Sequence, residues 1–191
     1  GFLTVTPFYN KPMQKGMILH FNAVAAAAGS KPVLLYNVPG RTGVDLLPET
    51  VAELAKTANI VGIKDATGDL ARARDLIARC APDIAIYSGD DATAMELILA
   101  GGHGSISVTA NIAPRISADM CRLAKAGDRA AATAENNKLE ALNDALFLQA
   151  NPIPVKWAAC HKGWIGPGIR LPLTVLEEQY HARVITAMEA A

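Results

Sequence analysis

Cysteine is scarce. Cys80, Cys121 and Cys160 are odd in number, lie far apart and form no CxxC pair, which excludes a disulfide framework and a thiolate zinc site. A reducing cytoplasm fits that usage. Net charge is lacking too, because 18 basic residues balance 18 acidic ones. That removes the electrostatic case for nucleic acid or an anionic membrane surface and leaves a small polar substrate as the expectation. No apolar run approaches the roughly 20 residues needed to cross a bilayer, and no basic segment with a following apolar stretch opens the chain. An initiator methionine is absent, and GFLTVTP already reads as a strand, so the sequence is expected to begin in mid-fold. The dinucleotide glycine signature and the P-loop are both missing. His20, His103, His161 and His181 are scattered without ligand spacing, so no metal site is expected.

What is present is apolar material in a regular order. Hydrophobic residues make up 51% of 191, enough for a sizeable core. Five short runs, FLTVT (2–6), VLLY (33–36), IVGIK (60–64), IAIYS (84–88) and GSISV (104–108), each precede a longer segment with helical patterning. Strands alternating with helices imply a parallel α/β sheet. Pro48 near a first helical position and Gly101–Gly102 after ATAMELILA punctuate the helices. Beyond Ala110 the pattern turns helical, with Asp128 as an expected N-cap and Thr174 with Glu177 at capping-box spacing before the last helix. Residues 1–125 therefore read as α/β and 126–191 as a helical extension. Five parallel strands fit a small doubly wound sheet or the later part of an eight-stranded barrel, and either places ligands at the carboxyl ends of the strands.

Those ends are polar. In VGIKDATG (61–68) an apolar run stops at Lys64, and period-2 counting puts Ile60, Gly62 and Lys64 on one face, with Gly62 leaving room beneath the lysine stem. Lys64 is either a lysine that snorkels from the strand end or an amine nucleophile for a carbonyl substrate. At an ordinary pKa only about one lysine in a thousand is neutral near pH 7.4, a handicap of about 4 kcal/mol that burial would reduce. Tyr36 is a packed aromatic or a proton shuttle. Arg41, in VPGRTG, is an exposed loop cation or a bidentate carboxylate clamp. Asp90 and Asp91 read as cap and dipole partners rather than a metal pair.

The segments PFYN (7–10), YNVPGRTG (36–43), GIKDATG (62–68), SGDD (88–91), GGHGSISVTAN (101–111) and NPIPVKW (151–157) together closely resemble the pyruvate-dependent Schiff-base aldolase family, in order and over essentially the whole chain. The resemblance implies a (β/α)8 TIM barrel, of which this chain supplies about the last five strands, with a C-terminal helical extension. YNVPGRTG further resembles the branch that condenses pyruvate with aspartate 4-semialdehyde on the route to diaminopimelate and lysine. By that resemblance Lys64 is the Schiff-base lysine, Tyr36 the proton donor and acceptor beside it, and Tyr9 a tyrosine that reaches into a neighbouring subunit's site. Arg41 binds the aldehyde's carboxylate, Ile106 contacts pyruvate through its backbone, and Gly89 stands beside that pocket. No cofactor is implied, and the implied assembly is a homotetramer built as a dimer of dimers. Other pyruvate aldolases, acting on sialic or keto-deoxy sugar acids, and a non-catalytic assembly piece are the competing readings.

The sequence departs from the pattern in two ways. The first three barrel strands, which carry a threonine pair that completes the tyrosine relay, have no counterpart, so this piece alone is expected to be neither stable nor active. Phe8 replaces a tyrosine common in relatives, in the region where lysine inhibits many of them.

Overall fold

Runs rich in Val, Ile and Leu, bounded by Pro, Gly and Asn, become five strands in the computed structural model, which describes residues 1–191. These are β1 (Phe2–Val5), β2 (Val33–Asn37), β3 (Ile60–Asp65), β4 (Ala85–Ser88) and β5 (Gly104–Ser105). They pair in chain order, every neighbouring pair parallel, as successive strands of a (β/α)8 barrel do. Between them run α1 (Gln14–Ala28), a short turn of helix α2 (Pro39–Thr42), α3 (Pro48–Leu54), α4 (Leu70–Cys80) and α5 (Ala94–Leu99). The punctuation acts as the residue types require: Pro48 occupies the first turn of α3, and the Asp69 carboxylate caps α4 by accepting from the N–H groups of Ala71 and Arg72 at 2.8 and 3.1 Å. VPGRTG, read from sequence as a loop, winds into α2 and ends at Gly43, whose φ of 71° is the left-handed C-cap that glycine adopts without strain.

One face of the sheet is a dry core. Leu35, Ile63 and Ile86 are fully buried against Met17 and Phe21 of α1, Leu54 of α3 and Leu76 of α4. Burying each such side chain stabilises by about 1.5–3 kcal/mol. Period-2 counting along β3 fails at one point. Val33 pairs with Ile60 but Leu34 pairs with Gly62, so Val61 is an extra residue, a bulge. Ile60 consequently faces the helices and joins their core, while Gly62 and Lys64 turn to the other face. The expectation that all three share a face is corrected accordingly. Gly62 also serves a different neighbour than expected, because a Cβ there would meet the Ala85 carbonyl oxygen at 2.8 Å, so its smallness admits β4 rather than the lysine stem.

The chain divides into two compact units, Gly1–Ile106 and Ser107–Ala191. This division precedes the boundary near residue 125 read from sequence, because α6 (Pro114–Lys125) packs against α7 (Arg129–Ala145). The second unit adds α8 (Ile153–His161) and α9 (His181–Ala190). Its core gathers Leu142 and Leu146 of α7 with Val184 and Met188 of α9 and the intervening Leu176. Asp128 caps α7 through the Ala131 N–H at 3.1 Å, as the sequence suggested. The capping box at Thr174 does not form: the last helix starts at His181, because Leu176 is buried and the Glu177 N–H donates to the Gln149 side chain, which keeps the approach extended. No helix is long and apolar enough to cross a membrane.

Candidate active site

The strand register aligns a row of residues across the face opposite the helical core. Val5 pairs with Tyr36, Tyr36 with Lys64, Lys64 with Tyr87, and Tyr87 with Gly104. Lys64 is thus flanked by two tyrosines on the neighbouring strands. Its Nζ stands 4.4 Å from the centroid of the Tyr36 ring, within range of an amine or ammonium interacting with a ring face.

Backbone bonds step across the strand ends and fix the residues that follow. The Ala66 N–H donates to the Asn37 carbonyl at 2.9 Å, the Gly89 N–H to the Asp65 carbonyl at 2.7 Å and the Ile106 N–H to the Ser88 carbonyl at 2.8 Å. Gly89 is thereby pressed onto the lysine: a Cβ at Gly89 would lie 2.7 Å from Lys64 Cε, 2.9 Å from Lys64 Cγ and 2.8 Å from Ala66 Cβ. The glycine that makes room for the lysine stem is therefore Gly89, just past the end of β4 and anchored by its N–H to the Asp65 carbonyl, and not Gly62 on the lysine's own strand.

Burial is the largest influence on both central side chains. It lowers the Lys64 pKa from the ordinary lysine value; the Asp91 carboxylate opposes that shift by favouring the ammonium, and the Arg41 guanidinium adds to it. Burial raises the Tyr36 pKa, with Arg41 acting in the opposite sense by favouring phenolate. The neutral amine and the neutral phenol are both favoured, which suits a nucleophile beside a proton donor. Arg41 itself is exposed on α2, yet its charge reaches both groups.

Of the residues singled out from sequence, Tyr36 and Gly89 each lie against Lys64, Arg41 acts on Lys64 and Tyr36 through its charge, and Ile106 is tied to the residue preceding Gly89. Tyr9 is not among them. It is 93% exposed and has φ of 70°, at the centre of a tight turn in which the Asn10 N–H donates to the Phe8 carbonyl at 2.8 Å. A left-handed tyrosine is costly, and the turn projects the ring into solvent.

Two residues near Lys64 escaped the sequence reading. Tyr87, the next tyrosine at a strand end, stands across from Lys64 on β4, a placement that only the strand register reveals. Asp91 was read with Asp90 as a helix-start partner. Asp90 lies three residues before the N-cap of α5, Thr93, and accepts from its N–H and hydroxyl at 3.1 and 2.7 Å, whereas Asp91 is 8% exposed and influences the lysine. No group of three or more His, Cys, Asp and Glu side chains converges as a metal site would require.

The Dihydrodipicolinate synthetase family profile matches residues 1–191. The 4-hydroxy-tetrahydrodipicolinate synthase of Thioalkalivibrio sulfidiphilus is 61% identical over 189 residues, 99% of this chain and 64% of its own length. That of Pseudomonas aeruginosa is 57% identical over 186 residues, 97% of this chain and 63% of its own. Among solved structures, the chloride-inhibited dihydrodipicolinate synthase of Acinetobacter baumannii complexed with pyruvate superposes with a TM-score of 0.95 at 53% identity, over 98% of this chain and 64% of that one. A monomeric dihydrodipicolinate synthase variant gives 0.94 at 36% identity, with the same coverage. This chain thus spans about 64% of the length of the relatives it matches.

Proposed function

This chain belongs to the dihydrodipicolinate synthetase family, and from that premise we propose that its strand-end site condenses pyruvate with L-aspartate 4-semialdehyde to 4-hydroxy-tetrahydrodipicolinate. The observation that carries the reading is the Lys64 amine held beside the Tyr36 ring with its pKa lowered by burial. A neutral amine can attack the keto carbon of pyruvate, and loss of water leaves an imine. The protonated imine draws electrons from the adjacent methyl, which loses a proton to give an enamine. The enamine carbon attacks the aldehyde, and the substrate's own amine then displaces Lys64 as the ring closes.

Each step moves a proton, and Tyr36 is the group placed to carry it, since its ring flanks the amine and its hydroxyl is kept protonated by burial. Arg41 binds the carboxylate of the aldehyde substrate. Gly89 shapes the wall against the lysine stem. Because the Ile106 N–H is committed to Ser88, a backbone contact with pyruvate falls to the Ile106 carbonyl. Tyr9, exposed in its strained turn, reaches a neighbouring subunit of a homotetramer in the cytoplasm.

The test is mass spectrometry after incubation with pyruvate and borohydride, which reduces an imine to a stable secondary amine. The expected result is one pyruvate-derived adduct on the peptide containing Lys64. A folded, full-length sample without an adduct would sink the Schiff-base reading, and cleavage of sugar acids in preference to turnover of the aldehyde would redirect the substrate assignment.

A further inference from the structure

Residues that follow the two central side chains point the other way through the sheet. Asn37 succeeds Tyr36 and Asp65 succeeds Lys64, and both are buried among the helices. There they meet Arg72 of α4. Arg72 Nε donates to Asp65 Oδ2 at 3.0 Å, Nη1 to Asp45 Oδ2 at 3.0 Å, and Nη2 to the Leu46 carbonyl. Asn37 Nδ2 donates to Asp45 Oδ1 at 2.8 Å and to Asp65 Oδ2 at 3.2 Å, while its Oδ1 accepts the Leu46 N–H at 2.9 Å. Asp65 Oδ1 in turn accepts the Thr67 N–H and hydroxyl at 3.1 and 2.5 Å.

The position of Arg72 is not explained by its own helix. It lies in the first turn of α4, which carries no acidic residue, and a cation there opposes the helix dipole. Its side chain is 10% exposed, so its charge is satisfied by partners from other elements. Asn37, which bonds to Asp45, Asp65 and Leu46, and the Arg72 partners Asp45 and Leu46 bracket one segment. From Asn37 to Leu46 the chain leaves β2, forms α2 with Arg41, and returns to be gripped at Asp45 and Leu46.

Resting on the function proposed above, we propose that Arg72 is a positioning residue that, by holding Asp45 and Leu46, sets where Arg41 stands and so tunes affinity for the acidic second substrate from the opposite face of the sheet. The guanidinium fork is what the task demands, since three acceptors in different directions exceed what a lysine ammonium on a flexible stem can fix. The segment does not depend on Arg72 for its existence: Gln14 Nε2 also donates to the Asp45 carbonyl at 2.8 Å, and Thr42 Oγ1 donates within the segment to the Val38 or Val44 carbonyl, at 3.2 or 3.0 Å. Loss of the clamp therefore loosens the placement of Arg41 without dissolving the turn.

The experiment compares Arg72→Lys and Asp45→Asn with wild type in the full-length protein. The expected result is borohydride-trapped pyruvate at Lys64 within about 2-fold of wild type, with KM for the aldehyde acid raised about 10-fold and kcat changed far less. Amide hydrogen exchange should accelerate over residues 38–47 and stay unchanged at Gly89. Unchanged KM in both variants, or trapping that falls in step with the KM effect, overturns the proposal. If Arg72→Lys does not fold, Asp45→Asn, altered at a side chain 40% exposed, carries the test. If wild type itself forms no adduct, the Schiff-base reading falls, and exchange over 38–47 still decides the clamp: no acceleration in the variants would overturn it.

Discussion

The two faces of the sheet at β2 and β3 do different work with the same backbone. Toward the helices, Leu35 and Ile63 are fully buried and end in the satisfied polar cluster of Asn37, Asp65 and Arg72. On the opposite face, Leu34, Tyr36, Gly62 and Lys64 are aligned, and the last of these has its charged form disfavoured. Stability is gained on one side, and on the other an amine is held away from its preferred protonation state. One residue of register separates the core face from the face that carries Lys64. The Val61 bulge is the device that turns Lys64 to the face opposite the helical core, beside Tyr36.

The sharpest way to break this comparison is to remove the amine. Lys64→Ala is expected to abolish the pyruvate adduct while leaving the denaturant midpoint close to wild type, because the deleted side chain is half-buried and outside the helical core. A retained adduct would remove Lys64 from the mechanism. Tyr36→Phe keeps the ring beside Nζ and deletes only the hydroxyl. Turnover should fall by roughly 10²-fold or more, the usual worth of a positioned acid–base group, with the adduct still trappable. Equal loss of trapping and turnover would mean that the ring position, not the proton, was disturbed.

Gly89→Ala sharpens the comparison from the end of the neighbouring strand. The new methyl would overlap Lys64 Cε and Cγ and also Ala66 Cβ, which has no rotamer to escape by, so the lysine stem must move and the strand ends beside it must part. A displacement on the order of 1 Å can cost about 10²-fold in rate, so adduct formation should slow strongly for a modest stability cost of about 1–3 kcal/mol. The converse pattern is expected for Ile63→Ala, one residue from the amine but on the other face. It should lose about 2–5 kcal/mol in denaturant unfolding and, where still folded, trap pyruvate nearly normally.

Most elements of this arrangement were legible in the sequence because they rest on local rules. The strands, the proline at the start of α3 and the Asp128 cap follow from residue type and spacing alone. The fifth strand spans only Gly104–Ser105, although the Ile106 N–H still donates to the Ser88 carbonyl across the strand end. What could not be read depends on neighbours distant in the chain. Nothing in IVGIK announces that Val61 is supernumerary, because the bulge is defined only against β2. The role of Gly89 is equally nonlocal, as its methyl-sized vacancy belongs to a lysine 25 positions earlier. Arg72 likewise reads as one more basic residue in LARARD until Asp45 and Asp65 are brought beside it. Tyr9 is the opposite case, for its strained, exposed turn gives it no partner within the first unit to which a role could be tied.

The smallest expected effects are shifts in the titration of Lys64, measured by competitive acylation of its amine against pH. Burial lowers its pKa, so the inflection should lie below the ordinary value of 10.5. Asp91 raises that pKa and Arg41 lowers it; hence Asp91→Asn should move the inflection further down and Arg41→Ala should move it up. Each charge contributes less than burial, the largest cause, so in both variants the inflection should remain below the ordinary value. The linkage has a definite sign: between the lowered folded pKa and 10.5 the unfolded chain binds more protons, so this group makes stability rise with pH across that window and costs stability below it. Opposite shifts in the two variants would establish that the Asp91 and Arg41 charges adjust the amine's protonation on top of burial. Shifts in the same direction would mean that the substitutions act by letting water reach Lys64, and burial alone would then distinguish the reactive face from the core behind it.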